Sequence, residues 1–227
     1  MAARILGSLL VGITLTVVVE AQRLTQVPAS VATEAKGHPM AFAMLLADAA
    51  VPVGIEIAAA DRRPPTRPEF ERRTASAAID TVLNTFNGAQ RGYLAQPVND
   101  VVVITPARGS SYLKRRLDLA PEDLVVSGAM AAIRKVFAPL DPELDRPGAT
   151  LGSTFVDPAQ SGRDRTITFT PGGTVLDALN EIAKQSGQGW FVATEERPGH
   201  TEPEITAVGL IHRGGASTQI PVTSAAR

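Results

Sequence analysis

The stretch Gly173-Thr174-Val175-Leu176-Asp177-Ala178-Leu179-Asn180-Glu181-Ile182-Ala183-Lys184-Gln185-Ser186-Gly187, with Trp190 to Thr194 after it, decides the fold class. Val175, Ala178, Leu179 and Ile182 recur at i, i+3, i+4 and i+7, the spacing that lines one face of a helix with apolar side chains. Gly187 stops that helix, because glycine enters the left-handed conformation without steric cost. Before it, Thr166, Thr168 and Thr170 alternate with Ile167 and Phe169, the period of a half-buried strand, and Pro171-Gly172-Gly173 turns the chain. After it, Trp190–Thr194 and Ile205–Ile211 read as strands flanking the charged loop Glu195–Pro203. Arg213-Gly214-Gly215 turns again, and Ile220–Val222 adds a short edge strand.

The same plan recurs upstream. Phe42, Leu45, Leu46 and Ala49 share a helix face, and Val51, Val53, Ile55 and Ile57 then alternate with Pro52, Gly54 and Glu56 as in a half-buried strand. Pro52 favours the strand start or a sheet edge. A second helix carries Ile79, Val82, Leu83 and Phe86, with Thr74 or Ser76 as its cap and Asn87-Gly88 as its stop. A strand at Tyr93 turns through Pro97-Val98-Asn99-Asp100 into Val101–Thr105. Tyr112–Leu119 reads as a strand, and Ser127 as the cap of a third helix with Met130, Ile133, Phe137 and Leu140 on one side. Asp141 to Gly148, with two prolines, breaks the chain.

Helices of three to four turns bury such stripes only against a sheet or another helix. The expectation is an α+β fold of two small modules, each of helix–turn–strand–hairpin units with helices packed on one face of mixed β-sheets. The modules fall at 38–106 and 126–222, joined by a boundary region at 107–125. A flexible lead-in occupies 22–37, and a frayed tail 223–227.

Hydrophobic residues make up 44% of the 227, enough for a substantial core, while aromatic residues are only 4%, too few for the stacking platforms that hold single strands of nucleic acid. A net charge of −1 leaves no electrostatic footprint for DNA or RNA. With no cysteine, disulfides, zinc–thiolate sites, iron–sulfur clusters and cysteine nucleophiles are excluded. Arg4, the uncharged run Ile5–Val19 and small residues at Val19 and Ala21 form a secretory leader, residues 1–21, cut before Gln22. The run is shorter than the ~20 residues of a membrane span. The chain is expected in the periplasm or secreted. Left uncut, the leader anchors it in the inner membrane, its one route to a membrane.

Ile167-Thr168-Phe169 and Gly173–Gly187 resemble the short N-terminal (STN-like) domains of secretins and TonB-dependent receptors, and Ala75–Thr105 is a weaker match. The resemblance implies a periplasmic module that binds another protein or assembles. It transfers no site residue, and nothing in the sequence supplies the membrane barrel or ring-forming domain that such modules precede.

Ser111-Tyr112-Leu113-Lys114 matches the S-x-x-K nucleophile motif, but no S-x-N or K-[ST]-G element follows it, which favours a plain surface strand. His38, His200 and His212 stand singly. His200 shares a loop with Glu195, Glu196, Glu202 and Glu204, where a weak metal site competes with simple solvation; no metal or cofactor is expected. Arg62, Arg63, Arg67, Arg72 and Arg73, with Lys114, Arg115 and Arg116, form basic clusters that are either solvated or dock an acidic partner, peptidoglycan or anionic lipid. Tyr93 and Trp190 head equivalent strands and belong either to the core or to an exposed contact surface at a sheet edge. The candidate interaction surface is therefore Arg62, Arg63, Arg67, Tyr93, Lys114, Arg115, Arg116 and Trp190. The expected role is non-catalytic interaction or assembly in the cell envelope, with another envelope protein or a second copy as partner. The alternatives are an exported hydrolase and a small-ligand-binding protein.

Overall fold

A computed structural model describes residues 26–28, 31, 34–62, 76–110, 112–139, 152–154, 165–200, 203–215 and 217–221. In chain order the elements are β1 (Gln26–Pro28), α1 (Pro39–Asp48), β2 (Val53–Ala58), β3 (Ser76–Ala78), α2 (Ile79–Ala89), β4 (Tyr93–Val98) and β5 (Val101–Pro106). They continue with β6 (Val125–Ser127), α3 (Ala129–Phe137), β7 (Gly152–Thr154), β8 (Thr166–Thr168), α4 (Val175–Ser186), β9 (Gly189–Glu195), β10 (Glu204–Ile211) and β11 (Ser217–Pro221). Seven strands make one mixed sheet in the order β4-β5-β2-β9-β10-β11-β7. Its centre is parallel, β2 pairing with β5 on one side and β9 on the other, and its flanks are antiparallel. Two ribbons, β1–β3 and β6–β8, lie outside that sheet.

The α+β class, with helices packed against sheets, is the observed one. The layering differs from the expectation in that helices cover both faces. Val53, Ile55 and Ile57 of β2 join a core with α1 and α2, whereas Trp190 and Val192 of β9 join a second core with α3 and α4. A strand covered on both faces has no solvent side. Gly54 and Glu56, which the alternating pattern assigns to solvent, are accordingly buried. Strands from either side of 107–125 share the same sheet, since β2 hydrogen-bonds directly to β9. Helix α1 is apolar around its whole circumference, and nine of its ten residues are buried.

Local signals account for several elements. Thr174 caps α4 through a reciprocal box, its Oγ1 accepting from the Asp177 N–H at 3.2 Å while the Asp177 carboxylate accepts from the Thr174 N–H at 2.9 Å. Gly187 ends α4 at φ 70°. The β4–β5 turn places Asn99 and Asp100 at φ 51° and 63°, the type I′ geometry that follows the strand twist.

Elsewhere tertiary structure overrides them. Ser76 belongs to β3, and α2 starts at Ile79 without a side-chain cap. Helix α2 runs through Asn87-Gly88 to Ala89. Ser127 pairs with Thr166 in the β6–β8 ribbon, and Gly128 at φ 93° makes the turn into α3 that a residue with a Cβ resists. Tyr112–Lys114 is a single 3-10 turn rather than a strand, anchored by buried Leu113. In the lead-in, Gln26–Pro28 is a paired strand with Val27 in the core. β11 is an interior strand, because β7 pairs beyond it. The leader 1–21 and the tail 223–227 lie outside the described residues.

The two faces are tied together at one point. Gly54 lies opposite Trp190 in the parallel pair, and a Cβ on residue 54 would sit 1.9 Å from the indole Cε2. The indole is fully buried, and its Nε1 donates to Asn180 Oδ1 at 3.2 Å. Asn180 Nδ2 in turn donates to the Val98 carbonyl at 3.3 Å, joining α4 to the end of β4. Gly54→Ala is expected to cost about 3 kcal/mol, the upper end of ordinary overpacking. Pairing it with Trp190→Leu, which clears the space, should recover part of that loss. Urea unfolding followed by circular dichroism checks both, and a Gly54→Ala protein of unchanged stability would remove the contact from its central place.

Candidate functional site

Glu56 is the anomaly of the central sheet. It stands on β2 in the run Val53-Gly54-Ile55-Glu56-Ile57-Ala58 and is only 2% exposed. It shares the Trp190 face of the sheet, since its partner across the parallel pair is Val192. A cleft of about 450 Å³ opens over it, lined by Glu56, Arg108, Gly109, Ser110, Lys114 and Thr194, with Tyr112 and Pro203 as apolar walls. The architecture fixes its position. The carboxyl ends of β5, β2 and β9 point the same way, and these residues come from or just follow those three ends. Crevices at the carboxyl ends of parallel strands are where open α/β sheets take ligands.

Ser110 stands beside the Glu56 carboxyl in the cleft and favours its ionised form. The Leu113 N–H donates to Ser110 Oγ at 3.2 Å. One carboxylate oxygen, Oε2, is buried with no hydrogen-bond partner among the described residues. Desolvation pushes the Glu56 carboxyl above its ordinary value, while Ser110 and the Arg108 charge pull it back. Arg108 also pairs with Glu196 at the rim. Tyr112 stacks on Phe137 with centroids 5.8 Å apart, and Arg115 lies 5.2 Å from its ring centre. Burial pushes the Tyr112 phenol up to about 12, so it stays a neutral group at physiological pH.

Among the described residues, the expected interaction set does not form one surface. Trp190 is core and offers no exposed contact. Tyr93 packs against the opposite core, where its hydroxyl donates to Asp61 Oδ2 at 2.9 Å and accepts from the Ala58 N–H at 3.1 Å. The sheet edge it heads is closed to strand addition at its middle. Asn87 Nδ2 donates to the Ala95 carbonyl at 2.9 Å, its Oδ1 accepts the Ala95 N–H at 2.7 Å, and Pro97 has no N–H to give. Arg116 pairs with Asp118 at 3.2 Å in solvent. Lys114 alone of the basic set lines the cleft. Arg62 follows the 3-10 turn after β2. Arg63, Arg67, Arg72, Arg73 and Ser111 lie outside the described residues.

The histidines are dispersed. His38 Nδ1 caps α1, accepting the Met40 N–H at 3.2 Å; His212 is buried; His200 stays in its loop. Around that loop Glu196 and Glu204 pair with Arg108 and Arg197. No group of three or more potential metal ligands occurs among the described residues. No helix among them is long and apolar enough to cross a membrane.

A second concavity, about 530 Å³, lies between the β4–β5 turn and the start of α4. Leu117, Leu119, Leu124, Phe169 and Ala178 give it apolar walls, and Asp100, Asp177 and Glu181 outnumber Lys184 among its charged lining residues. Beside Leu124 stands Val125, 58% exposed. No family model, curated protein or solved structure matches the chain.

Sequence reasoning missed Glu56, Ser110, Arg108 and Thr194. Its one available signal was an acidic residue inside a strand otherwise built from aliphatic side chains and glycine. The physical consequence is a stability cost. With its folded-state value raised above 4.5, Glu56 holds its proton in the folded protein after the unfolded chain has lost it. Its contribution to stability therefore falls as pH rises from 4.5 through the raised value, and stays low above it. Glu56→Gln is expected to stabilise the protein by about 1 kcal/mol at pH 8 and by less at pH 5. Urea unfolding at the two pH values tests this, and equal stability of both proteins at pH 8 would mean that the carboxylate is already compensated.

Proposed function

We propose that the chain is an exported, non-catalytic binding module of the cell envelope whose ligand enters the Glu56 cleft. One observation carries the reading: a carboxylate buried in the middle of a sheet keeps one oxygen without a partner among the described residues. Leaving such a group unpaired costs several kcal/mol, and a ligand that supplies the missing donor recovers part of that on binding. The cleft's place at the carboxyl ends of three parallel strands supports the same reading. Envelope placement rests on the Arg4–Ala21 leader and on the STN-like character of Gly173–Gly187. Binding is favoured over turnover because the described lining of the cleft sets Ser110 beside a carboxylate and includes no imidazole to serve as its base.

A second reading, docking of an envelope protein, is favoured by the groove beside α4. Its apolar walls and carboxylate-rich lining suit a segment that presents an apolar anchor next to lysine or arginine. The two readings part in one experiment. Thermal denaturation of the protein and of Glu56→Gln is followed across a library of small polar metabolites. A ligand at a hundred times its Kd adds about 2.7 kcal/mol, a shift of several degrees. Stabilisers that act on the parent and not on Glu56→Gln are the expected result. A library with none would overturn the cleft reading and leave the groove, where Leu119→Asp should abolish binding of a basic, leucine-bearing peptide.

A further inference from the structure

Resting on the cleft reading, we infer that the Glu56 cleft binds a small zwitterion, such as a free amino acid or a short peptide, with its ammonium on Glu56 and its carboxylate toward Lys114 and Arg108. A hydroxyl has one proton to give. Leu113 donates to Ser110 Oγ at 3.2 Å, which leaves that proton available to an occupant of the cleft. The Glu56 carboxylate lines the cleft, and its Oε2 has lone pairs and no donor among the described residues. An N–H group completes it, and a positively charged one does so most strongly.

A simple amine satisfies Glu56 but not its surroundings. Arg108 and Lys114 line the same cleft, and a lone cation there meets two like charges. Lys114 makes no ion pair with any described residue, and Arg108 is only shared with the exposed carboxylate of Glu196. An occupant that carries an anionic group beside its ammonium turns that repulsion into attraction. Tyr112 and Pro203 leave apolar wall for an uncharged side chain. The volume, about 450 Å³, lies toward the small end of the ~300–1,000 Å³ typical of ligand pockets.

Isothermal titration calorimetry of the full chain discriminates with five probes: L-alanine, L-alanyl-L-alanine, methylamine, acetate and glycine betaine. Methylamine has the donor without the anion, acetate the anion without the donor, and betaine both charges without any N–H. Saturable binding of alanine or the dipeptide is expected, with each of the other three about tenfold weaker or more, the loss that follows one charge-assisted hydrogen bond. Glu56→Gln should weaken the zwitterion about tenfold or more while keeping a melting temperature at least as high as the parent's. Lys114→Ala should weaken it and flatten its salt dependence. Betaine binding as tightly as alanine would show that no donor is needed and overturn the assignment, as would acetate binding equally well. Failure of both zwitterions overturns it too. In that case a Glu56-dependent stabiliser from the metabolite library keeps the cleft as a site for another ligand class, and its absence removes both inferences together.

Discussion

The structure depends on the contact between an indole and a missing side chain. Trp190 occupies the space that any Cβ at position 54 would take, so the parallel pair β2–β9 closes only around glycine. That pair joins strands from the two halves of the sequence. Without it, the β4–β5–β2 unit and the β9–β10–β11–β7 unit have no shared ladder. The indole also decides which face each helix pair takes. It fills the α3–α4 side of the sheet and draws Asn180 inward, leaving Phe191 and Ala193 to meet α1 and α2 on the other side. Burial of a side chain this large dominates its neighbourhood, and its one polar atom finds a partner, as a buried tryptophan requires.

The cleft is a consequence of that arrangement. With β5, β2 and β9 parallel, their carboxyl ends gather the loop Arg108–Ser110, the side chain of Glu56 and the end of β9 into one place. Two positions beyond Gly54 on the same face, a valine or isoleucine would extend the core, as Val192 does on the neighbouring strand. The chain places glutamate there instead. Natural sequences break the local rule of apolar burial at few positions, and these concentrate where function requires them.

Much of the fold was legible from local pattern. Helix α4, its stop at Gly187 and the Asn99-Asp100 hairpin are encoded within a few residues, and the structure follows them closely. The errors share a different cause. Ser76 and Ser127 look like helix caps, yet each is taken up by a strand pairing with a distant segment. Asn87 looks like part of a helix stop, yet its amide is used to seal the edge of β4. Which helix covers which face is likewise a non-local matter, and it turns Glu56 from an apparent solvent position into a buried one. The cleft was illegible for the same reason: Glu56, Ser110 and Thr194 are brought together only by the parallel pairing, and no spacing along the chain signals it.

That reassignment of Glu56 changes what the chain's polar residues mean. Of the basic residues that stand out in the sequence, Arg115 and Arg116 are exposed surface charges, and Arg116 pairs with Asp118. Their weight in a functional argument is small, because exposed pairs contribute little and are screened. One carboxylate in a low-dielectric setting carries more, because its unmade bond is expensive and its environment is rigid. The strands that hold Glu56 cannot relax toward water without breaking the Gly54–Trp190 contact two residues away. The same constraint that builds the sheet therefore keeps Glu56 Oε2 without a partner among the described residues, the feature on which the proposed ligand binding rests.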